Sequence, residues 1–301
     1  MHPHDAAPHT GELTVTTASL DAWRQVEEWA AEEGWNPGHG DTACFHPTDP
    51  AGFFIGSLGD RPVSAVSVVN YSAQFAFLGY YLVHPGHRRQ GRGLATWHAA
   101  FPHAGRRTVG LDAVPAQQST YRRAGFTAAY ETLRYAGRPE RPGHPDGTAA
   151  TASGVVPVDP SRLDPALLDG ITAYDVRCFP AERRAFLARW LTADGHTARV
   201  RLRDGRITGY GVIRSARDGH RIGPLFADTP GDAEALFDSL TAHLGPDDEV
   251  SLDIPEPRHA AQALATARGL TPRSHTIRMY TGPVPPAREE CTYGVTSLEL
   301  G

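Results

Sequence analysis

The sequence repeats a short set of features in its two halves, and this repetition limits the chain to folds built from two similar units. Each half has a strand that contains Leu-Asp, then a glycine before an apolar residue, then a strand that contains Thr-x-Arg. The spacing between the glycine and the arginine is nine residues in both halves, from Gly125 to Arg134 and from Gly269 to Arg278. Upstream, each half also has an alternating strand entered through a turn that begins with Asp. The shared order and spacing predict an internal duplication.

Two units of ordinary size fit the length of 301 residues. A stretch that is rich in Pro and Gly and has no apolar periodicity separates the repeats, and this is typical of a linker. We therefore expect a disordered tail over residues 1–10, a first, catalytic domain over 11–137, a linker over 138–154 and a second domain over 155–301.

The order of the predicted elements places the chain in the α/β class, or the α+β class with a mixed sheet. In the first half, antiparallel strands come early, and strands and helices alternate later. The predicted helices are Leu20–Glu33, a helix that opens after Arg92-Gly93 and runs from Leu94 through Phe101, and Gln117–Ala124. The predicted strands are Gly52–Ser57, Val63–Asn70, Phe75–Val83, Thr108–Val114 and Ala128–Tyr135.

All 29 residues counted as Lys or Arg are arginine, and the absence of lysine from the sequence excludes several classes of enzyme. A lysine Schiff base and a Walker-type phosphate loop, the latter expected in many nucleotide-dependent kinases, both need a lysine. The net charge of −5 and the pI near 6.3 argue against a nucleic-acid-binding surface. They favour, by a small margin, a cationic small substrate.

Cysteine spacing and apolar runs bear on cofactors and on compartment. The three cysteines are widely spaced and form no CxxC pair, so we expect buried free thiols, with neither a disulfide framework nor a metal site. The longest apolar run, Phe75–Val83, is too short to cross a bilayer, and the first residues do not have the pattern of an export signal. We therefore expect a cytoplasmic protein, monomer or homodimer, with no nucleic-acid or membrane partner and no metal.

The segment Gly79–Leu94 carries the clearest chemical signal. A buried strand runs into a turn rich in Gly and Arg, and an amphipathic helix follows. Gly91 and Gly93 permit close approach of the backbone to a ligand, and the N–H groups and the dipole at a helix start favour an anion. Three arginines in the turn add positive charge. The spacing Arg88-x-x-Gly91-x-Gly93 predicts a turn that binds a pyrophosphate.

This spacing resembles the acetyl-CoA motif of the GCN5-related N-acetyltransferase (GNAT) superfamily, (Gln/Arg)-x-x-Gly-x-(Gly/Ala), which lies between its fourth strand and third helix. Tyr121-Arg-Arg-Ala-Gly125-Phe126 is similar to a second GNAT signature, Tyr-x-x-x-Gly-Phe. The likeness spans nearly the whole chain and implies two tandem GNAT-like domains. Four further segments resemble bacterial tandem acetyltransferases with a degenerate second domain: Glu33–Gly38, Gly110–Asp112, Arg278–Gly282 and Leu298–Gly301.

The resemblance implies that acetyl-CoA is the co-substrate, with its pantetheine beside the end of the buried strand and its pyrophosphate on the turn. It makes Tyr121 the candidate proton donor to the departing CoA thiolate, without a covalent enzyme intermediate. The Asn usually found seven residues before this tyrosine is Val114 here, so that polar contact is missing or moves to residues 117–119. The expected cofactor-binding residues are Tyr81, Leu82, Val83, Arg88, Arg89, Gln90, Gly91, Arg92, Gly93, Leu94 and Ser119.

The general base stays open among four side chains. A protonated amine with a pKa of roughly 10 must lose a proton before it attacks the thioester. Asp112 is favoured as the catalytic base because its predicted strand lies beside the thioester, and Glu33, Asp41 and His84 are the alternatives. The residues expected to bind the acceptor are Glu33, Trp35, Asn36, Asp41, Asp253 and Arg278.

The expected function is acetyl-CoA-dependent N-acetylation of a primary amine on a small molecule. Two alternatives stay open: acetylation of a protein or peptide N-terminus, and a non-catalytic acyl-CoA-binding sensor. The second domain is expected to bind no CoA, because Asp228, Asp232 and Glu234 stand where the first has its arginines and glycines. The first domain alone, cut after about Asp146, is expected, if it is soluble, to bind acetyl-CoA but not to acetylate its amine.

Overall fold

A computed structural model describes residues 11–140 and 154–301 of the chain. The described chain forms one sheet of thirteen strands, in which two neighbouring pairs are parallel. This arrangement confirms the predicted mixed sheet. The strands of the first half are β1 (Leu13–Thr17), β2 (Phe53–Leu58), β3 (Arg61–Asn70), β4 (Phe75–Val83), β5 (Thr108–Ala113) and β6 (Thr127–Gly137). Those of the second half are β7 (Val155–Pro157), β8 (His196–Arg203), β9 (Arg206–Ser215), β10 (His220–Ala227), β11 (Val250–Pro255), β12 (Thr271–Tyr280) and β13 (Thr292–Gly294).

Helices cover both faces of this sheet. The helices are α1 (Leu20–Glu32), α2 (Asp41–Phe45), α3 (Arg92–Ala100), α4 (Gln118–Arg123), α5 (Pro165–Asp175), α6 (Arg184–Trp190), α7 (Pro230–Thr241) and α8 (His259–Ala267). Side chains alternate along β3: Ala65 and Val69 pack with α1, α2, α5 and α6 in one core shared by both halves. Val66 and Val68 point to the opposite face, into a cluster with α3 and α4. A third cluster lies under α7 and α8.

The last long strand of each half is exchanged between the halves. The strand order is β1-β2-β3-β4-β5-β12-β6-β11-β10-β9-β8-β7. Strand β12, from the second half, pairs with β5 of the first half, and β6 pairs with β11 of the second. A cut after Asp146 would remove both β11 and β12. We therefore no longer expect the first half to fold and bind a donor by itself.

Strands β6 and β12 pair with each other at the centre of the sheet, around a local pseudo-twofold axis. Thr132 lies opposite Thr276, and the two residues occupy the same position in the sequence repeat. On either side, Arg134 lies opposite Asp253 on β11, and Arg278 lies opposite Asp112 on β5. The repeated nine-residue step thus brings the arginine of each repeat to the aspartate of the other.

Each half has a pair of parallel strands that separate after a few residues. In the first half, β4 pairs with β5 only over Phe75–Phe77, and the gap beyond is open. In the second half, β10 pairs with β11 only over His220–Ile222. There β13 enters the gap and pairs with β10 at residues 225 and 226, and Val295 N–H donates to the Asp253 carbonyl at 2.9 Å. The first gap is open and the second is filled.

The elements predicted in the first half agree with the structure to within two residues at each end, and Phe75–Val83 agrees at both ends. The structure adds β1 and α2, which were not predicted. The predicted tail and residues 141–153 of the predicted linker lie outside the described residues. Within residues 11–140 and 154–301, no helix has the length and apolar character needed to cross a membrane.

Candidate active site

The open gap beside β4 begins at an irregularity in that strand. Tyr80 has a φ of 46°, and the pairing of β4 with β3 shifts register between Gly79 and Leu82. Such a bulge bends a strand away from its neighbour. The β5-facing edge of β4 beyond Phe77 therefore borders the gap. Tyr81, Leu82 and Val83, which were expected beside the donor, belong to this stretch.

The turn after β4 leads into α3 without a capping side chain. Gly91, with a φ of 75°, takes the N-cap position, and the first helical hydrogen bond runs from Ala95 N–H to the Gly91 carbonyl at 3.0 Å. The N–H groups of Arg92, Gly93 and Leu94 therefore have no acceptor within the helix. A helix start of this kind has the hydrogen-bond donors and the dipole that bind a phosphate group.

The first turn of α3 lies directly against β4. A Cβ added at Gly93 would lie 2.7 Å from Val83 Cγ2 and 3.0 Å from the Tyr81 hydroxyl, so a glycine is needed for this close approach. The neighbouring Leu94 is 57% exposed and leaves apolar surface beside the turn.

The arginines of the turn differ in their contacts. Arg88 donates to a carbonyl of β4 at 2.9 Å and forms an ion pair with Glu33. Arg92 contacts His87. The exposed Arg89, with a φ of 60°, has no side-chain hydrogen bond or ion pair to the residues that the structure describes. Among these three arginines, Arg89 is the one whose charge is available to a ligand without rearrangement.

A cavity of about 230 Å³ occupies the gap. Its walls come from both halves, because β12 and the last residues of the chain border it, and most of its surface is aromatic or apolar. It is lined by Glu33, Gly34, Trp35, Leu78, Gly79, Tyr80, Tyr81, Leu111, Asp112, Val114, Tyr121, Arg134, Ser274, His275, Thr276, Leu298 and Glu299. Five residues expected at the site from sequence thus meet here: Glu33, Trp35, Tyr81, Asp112 and Tyr121.

Tyr121 lines the cavity from α4, and its hydroxyl has no hydrogen-bond partner among the described residues. Its ring lies among those of Tyr81, Trp97 and Phe126, with centroids 6.5, 5.9 and 6.0 Å away. Burial, together with Tyr81, raises the pKa of Tyr121 well above that of a free phenol. The phenol is therefore protonated at neutral pH and has the geometry to give its proton to an anion in the cavity.

Asp112 lines the same cavity, but both of its carboxylate oxygens are occupied. Arg278 donates to them from Nε and Nη2 at 3.0 and 2.7 Å, and both side chains are almost fully buried. Burial raises the pKa of Asp112, and Arg278 opposes that shift. Proton transfer to Asp112 would leave the charge of the buried Arg278 uncompensated, which argues against the role of general base expected from the sequence. Through its ion pair with Arg278, Asp112 joins β5 to β12.

A second set of buried ion pairs borders the cavity. Arg134 donates to Asp253 at 2.7 Å, and Arg221 donates to the other oxygen of Asp253 at 2.6 Å. Arg221 also reaches Glu299 at 3.2 Å, and Glu299 accepts from the Ser297 hydroxyl at 2.7 Å. Burial disfavours the charge on Asp253, but the two arginines outweigh it and hold the pKa of Asp253 well below its ordinary value. Both carboxylate oxygens of Asp253 thus accept hydrogen bonds from arginines, which argues against a contact with the acceptor.

Two residues expected to bind the acceptor connect the halves instead. Asn36 exchanges two hydrogen bonds with the backbone of Asp218, at 2.9 and 3.0 Å. Asp41 is buried and accepts from Arg214 at 2.5 and 2.8 Å. The described cavity walls include neither Asn36 nor Asp41.

Three other residues considered from the sequence lie at the edge of the site. Ser119 is exposed on α4, and Gln90 donates to the Gly86 carbonyl at 3.2 Å. His84, an alternative base, lies 5.9 Å from the ring of Trp29 and is outside the described cavity walls.

The closing segment, residues 295–301, covers one side of the cavity. The Glu299 carbonyl lies so close to β4 that a Cβ added at Gly79 would be 1.6 Å from its oxygen. The Tyr71 hydroxyl donates to the Leu300 carbonyl at 2.5 Å. These contacts hold Leu298 and Glu299 in the cavity wall. This role of Gly79 could not be predicted from the residues around it, because its contact comes from the far end of the chain.

Comparisons with known proteins match both halves to one family. A model of the acetyltransferase (GNAT) family matches residues 20–126, and a model of the acetyltransferase (GNAT) domain matches residues 171–294. A holothin acyltransferase of Pseudoalteromonas sp. (strain SANK 73390) is 35% identical over 290 residues, which cover 96% of this chain and 94% of that protein. The chain belongs to the GNAT family. It is a tandem GNAT acyltransferase, as the resemblance predicted.

Solved structures share the tandem GNAT fold. A structure from Pyrococcus horikoshii has a TM-score of 0.75 at 22% identity and covers 100% of this chain and 99% of that one. A tandem GNAT protein from the clavulanic acid biosynthesis pathway has a TM-score of 0.62 at 18% identity, over 91% of this chain and 100% of that one. At these identities the likeness concerns the fold alone.

The second GNAT unit differs from the first at the positions that matter for a ligand. Strand β13 fills the gap between β10 and β11, and its Tyr293 is buried. Helix α7 is capped, since Thr229 Oγ1 accepts from Asp232 N–H at 3.2 Å and donates to the Asp232 carboxylate at 2.7 Å. This helix start is satisfied within the protein, whereas that of α3 is not.

The acidic residues of the second unit are themselves paired. Asp228 pairs with Arg177 at 2.7 Å, and Asp232 pairs with Arg201 at 2.9 Å. Their charge is therefore compensated, and the repulsion of a pyrophosphate expected from the sequence is weaker than their number indicates. The filled gap and the capped helix are larger differences between the second unit and the first than the acidic residues are.

Metal and thiol chemistry have no prepared site in the residues that the structure describes. No group of three or more His, Cys, Asp or Glu side chains there is arranged to hold a metal ion. The three cysteines, Cys44, Cys178 and Cys291, are buried and free. None of them lines the gap between β4 and β5.

Proposed function

We propose that this chain transfers an acyl group from acyl-CoA, with acetyl-CoA as the donor, to a primary amine of a small molecule, and that it does so in the cytoplasm. The observation that carries the proposal is the combination of an open, aromatic-lined gap with an uncapped helix start at its side. The second unit has the same strands with the gap filled and the helix capped, so the fold alone does not require this combination. The donor then binds once per chain.

The residues present fit the donor in charge and in shape. The N–H groups of Arg92, Gly93 and Leu94 would bind its pyrophosphate, and Arg89 would add a positive charge. The edge of β4 beyond Phe77 is not paired with β5, so an extended chain with amide groups, such as pantetheine, could lie along it near Leu82.

The donor supplies a thioester whose carbonyl carbon is open to attack by an amine. Backbone N–H groups on the free edge of β4 near Leu82 would polarise its carbonyl oxygen. Tyr121 would give its proton to the sulfur as the C–S bond breaks and would recover a proton from water. Asp112 and Arg278 act as positioning residues, because their ion pair fixes β5 and β12 at the far side of the gap. No covalent enzyme intermediate is needed.

The size of the cavity favours a small acceptor over a protein N-terminus. Its volume of about 230 Å³ lies below the roughly 300–1,000 Å³ of pockets for drug-sized ligands. Trp35 and two residues of the closing segment, Leu298 and Glu299, are part of the cavity wall and would limit the size of an acceptor. The name of the Pseudoalteromonas relative describes acyl transfer to holothin, which supports catalysis over a sensor role.

Acyl transfer is tested by following free-thiol release from acetyl-CoA and from longer acyl-CoA esters in the presence of a panel of small amines. We expect thiol release that depends on the amine, and calorimetry should give one CoA site per chain. Binding without thiol release for any amine would favour the sensor alternative. Two CoA sites per chain would contradict the prediction that the second unit binds no CoA.

A further inference from the structure

The charged side chains that line the cavity are each neutralised by a partner of opposite charge. Three of them are carboxylates and one is an arginine. The pairs are Glu33 with Arg88, Asp112 with Arg278, Glu299 with Arg221, and Arg134 with Asp253. The described walls thus offer no unpaired carboxylate that could hold an ammonium group or accept its proton. The net charge of −5 belongs to the chain as a whole and not to this cavity.

The rest of the described wall carries no carboxylate, and apart from the tyrosines its further titratable side chain is His275, which lies at the exposed rim. Burial raises the pKa values of Tyr80, Tyr81 and Tyr121, so these phenols are neutral. An ammonium group would have to leave water for this surface with aromatic faces but no free carboxylate as its partner, which costs more free energy than the entry of the neutral amine. The other apolar parts of the wall are Trp35, Leu78, Leu111, Val114 and Leu298.

We infer that the acceptor is a weakly basic amine, aromatic or otherwise conjugated, that enters the cavity uncharged; this inference rests on the proposed function. An alkylamine with an ammonium pKa of about 10 is neutral in only about one molecule per thousand at pH 7. A conjugated amine with an ammonium pKa below about 5 is almost entirely neutral. It needs no base before attack, and a flat ring fits a wall made of Trp35 and tyrosines. This inference differs from the expectation of a cationic substrate that net charge favoured, because the charged side chains of the described wall are paired.

The reaction balances without an enzyme base. The amine nitrogen forms a bond to the thioester carbon, and the C–S bond breaks. The nitrogen loses one proton to water once it carries positive charge, at which stage it is a strong acid. Tyr121 protonates the sulfur and is reprotonated from water, so the products are an amide and a free thiol.

Aniline and benzylamine test this inference, because they differ by one methylene and by several units of ammonium pKa. With acetyl-CoA as donor, we expect kcat/KM for aniline at pH 7 to exceed that for benzylamine by at least about tenfold. The aniline value should be flat between about pH 6 and pH 9, since the amine stays neutral there. A higher kcat/KM for benzylamine would overturn the inference and leave the proposed function intact. No acyl transfer to either amine, or to the wider panel, would overturn both.

A variant tests the cause of the selectivity. Arg88→Gln removes the partner of Glu33 at a position where both side chains are partly exposed, so the fold should tolerate it. The freed carboxylate should shift the ratio of kcat/KM values towards benzylamine by about two- to fivefold. Arg89→Gln is the matched control, since it removes the same charge from the donor turn without touching Glu33. Both amines use the same donor, so the ratio cancels any loss of donor binding. An unchanged ratio in Arg88→Gln, or an equal shift in Arg89→Gln, would contradict charge compensation as the cause.

Discussion

Arg278 and Asp112 lie 166 positions apart in sequence and face each other on neighbouring strands, joined by two hydrogen bonds of 3.0 and 2.7 Å. Arg134 and Asp253 form the same contact with the halves interchanged. The two ion pairs lie on either side of the Thr132 and Thr276 pairing at the centre of the sheet. They fix the exchanged strands in register and define one wall of the cavity.

Arg278→Gln should strongly destabilise the chain, because it leaves the Asp112 carboxylate buried without its partner. Breaking a buried ion pair in this way costs about 3–5 kcal/mol of unfolding free energy. The double variant Arg278→Gln with Asp112→Asn should be less destabilised than Arg278→Gln alone, since no uncompensated charge remains. Urea unfolding followed by circular dichroism measures these two variants and the single variant Asp112→Asn. A double variant whose free energy equals the sum of the single losses would show that the two residues are not coupled.

Gly79→Ala should displace the closing segment, because the new methyl group would lie 1.6 Å from the Glu299 carbonyl oxygen. We expect KM for the amine to rise while the affinity for acetyl-CoA changes less, since Gly79 is in the middle of β4 and the donor turn begins only after Val83. Gly231→Ala is the control, because its Cβ would meet nothing closer than 4.0 Å. Enzyme kinetics and calorimetry on the three proteins separate the two effects. A Gly79→Ala protein with an unchanged amine KM would show that the segment does not shape the acceptor site.

The sequence was sufficient for the parts of the site that are local in the chain. The strand Phe75–Val83, the glycines of the turn and the tyrosine of α4 lie within two successive β-α units, so their order in the sequence brings them together. The open helix start at Gly91 could be expected from the same few residues. The repeat likewise predicted two units with a mixed sheet.

The sequence was not sufficient where contacts join distant parts of the chain. Asp112 was predicted to be the general base because the residues near it in the sequence do not indicate its partner. Its carboxylate is paired with Arg278, which lies on the distant strand β12. The same holds for Arg221, which joins Asp253 to Glu299. The exchange of strands between the halves cannot be predicted from apolar periodicity. The sequence patterns of β6 and β12 would be the same if each strand paired within its own half. The gap in the second unit is filled by β13. This strand has only three residues, which are too few to show a periodicity in the sequence.

Gly91→Val should abolish acetyl-CoA binding, since residue 91 has a φ of 75° that a β-branched residue adopts only with strain. Relaxation of that strain would reorient the N–H groups at the start of α3. Arg89→Gln should weaken binding by far less, because it removes one solvent-screened charge and leaves the backbone donors in place. Calorimetry with acetyl-CoA compares the two. Equal losses for the two variants would indicate that charge, and not the backbone, carries donor binding.

Tyr121→Phe should lower kcat by about 10²- to 10⁴-fold and leave acetyl-CoA affinity nearly intact, because it removes a proton donor without removing the ring. Burial raises the pKa of Tyr121, so the acid form persists to a pH above the ordinary value of a tyrosine. A group that acts as an acid loses activity when the pH rises through its pKa. The wild-type profile of kcat should therefore show no falling limb from Tyr121 below about pH 10. Stopped assays of thiol release from pH 6 to 10, with both proteins saturated in donor, provide the comparison. A falling limb centred near pH 8 in the wild type that is absent from Tyr121→Phe would assign a lowered pKa to this phenol and contradict its buried, neutral state.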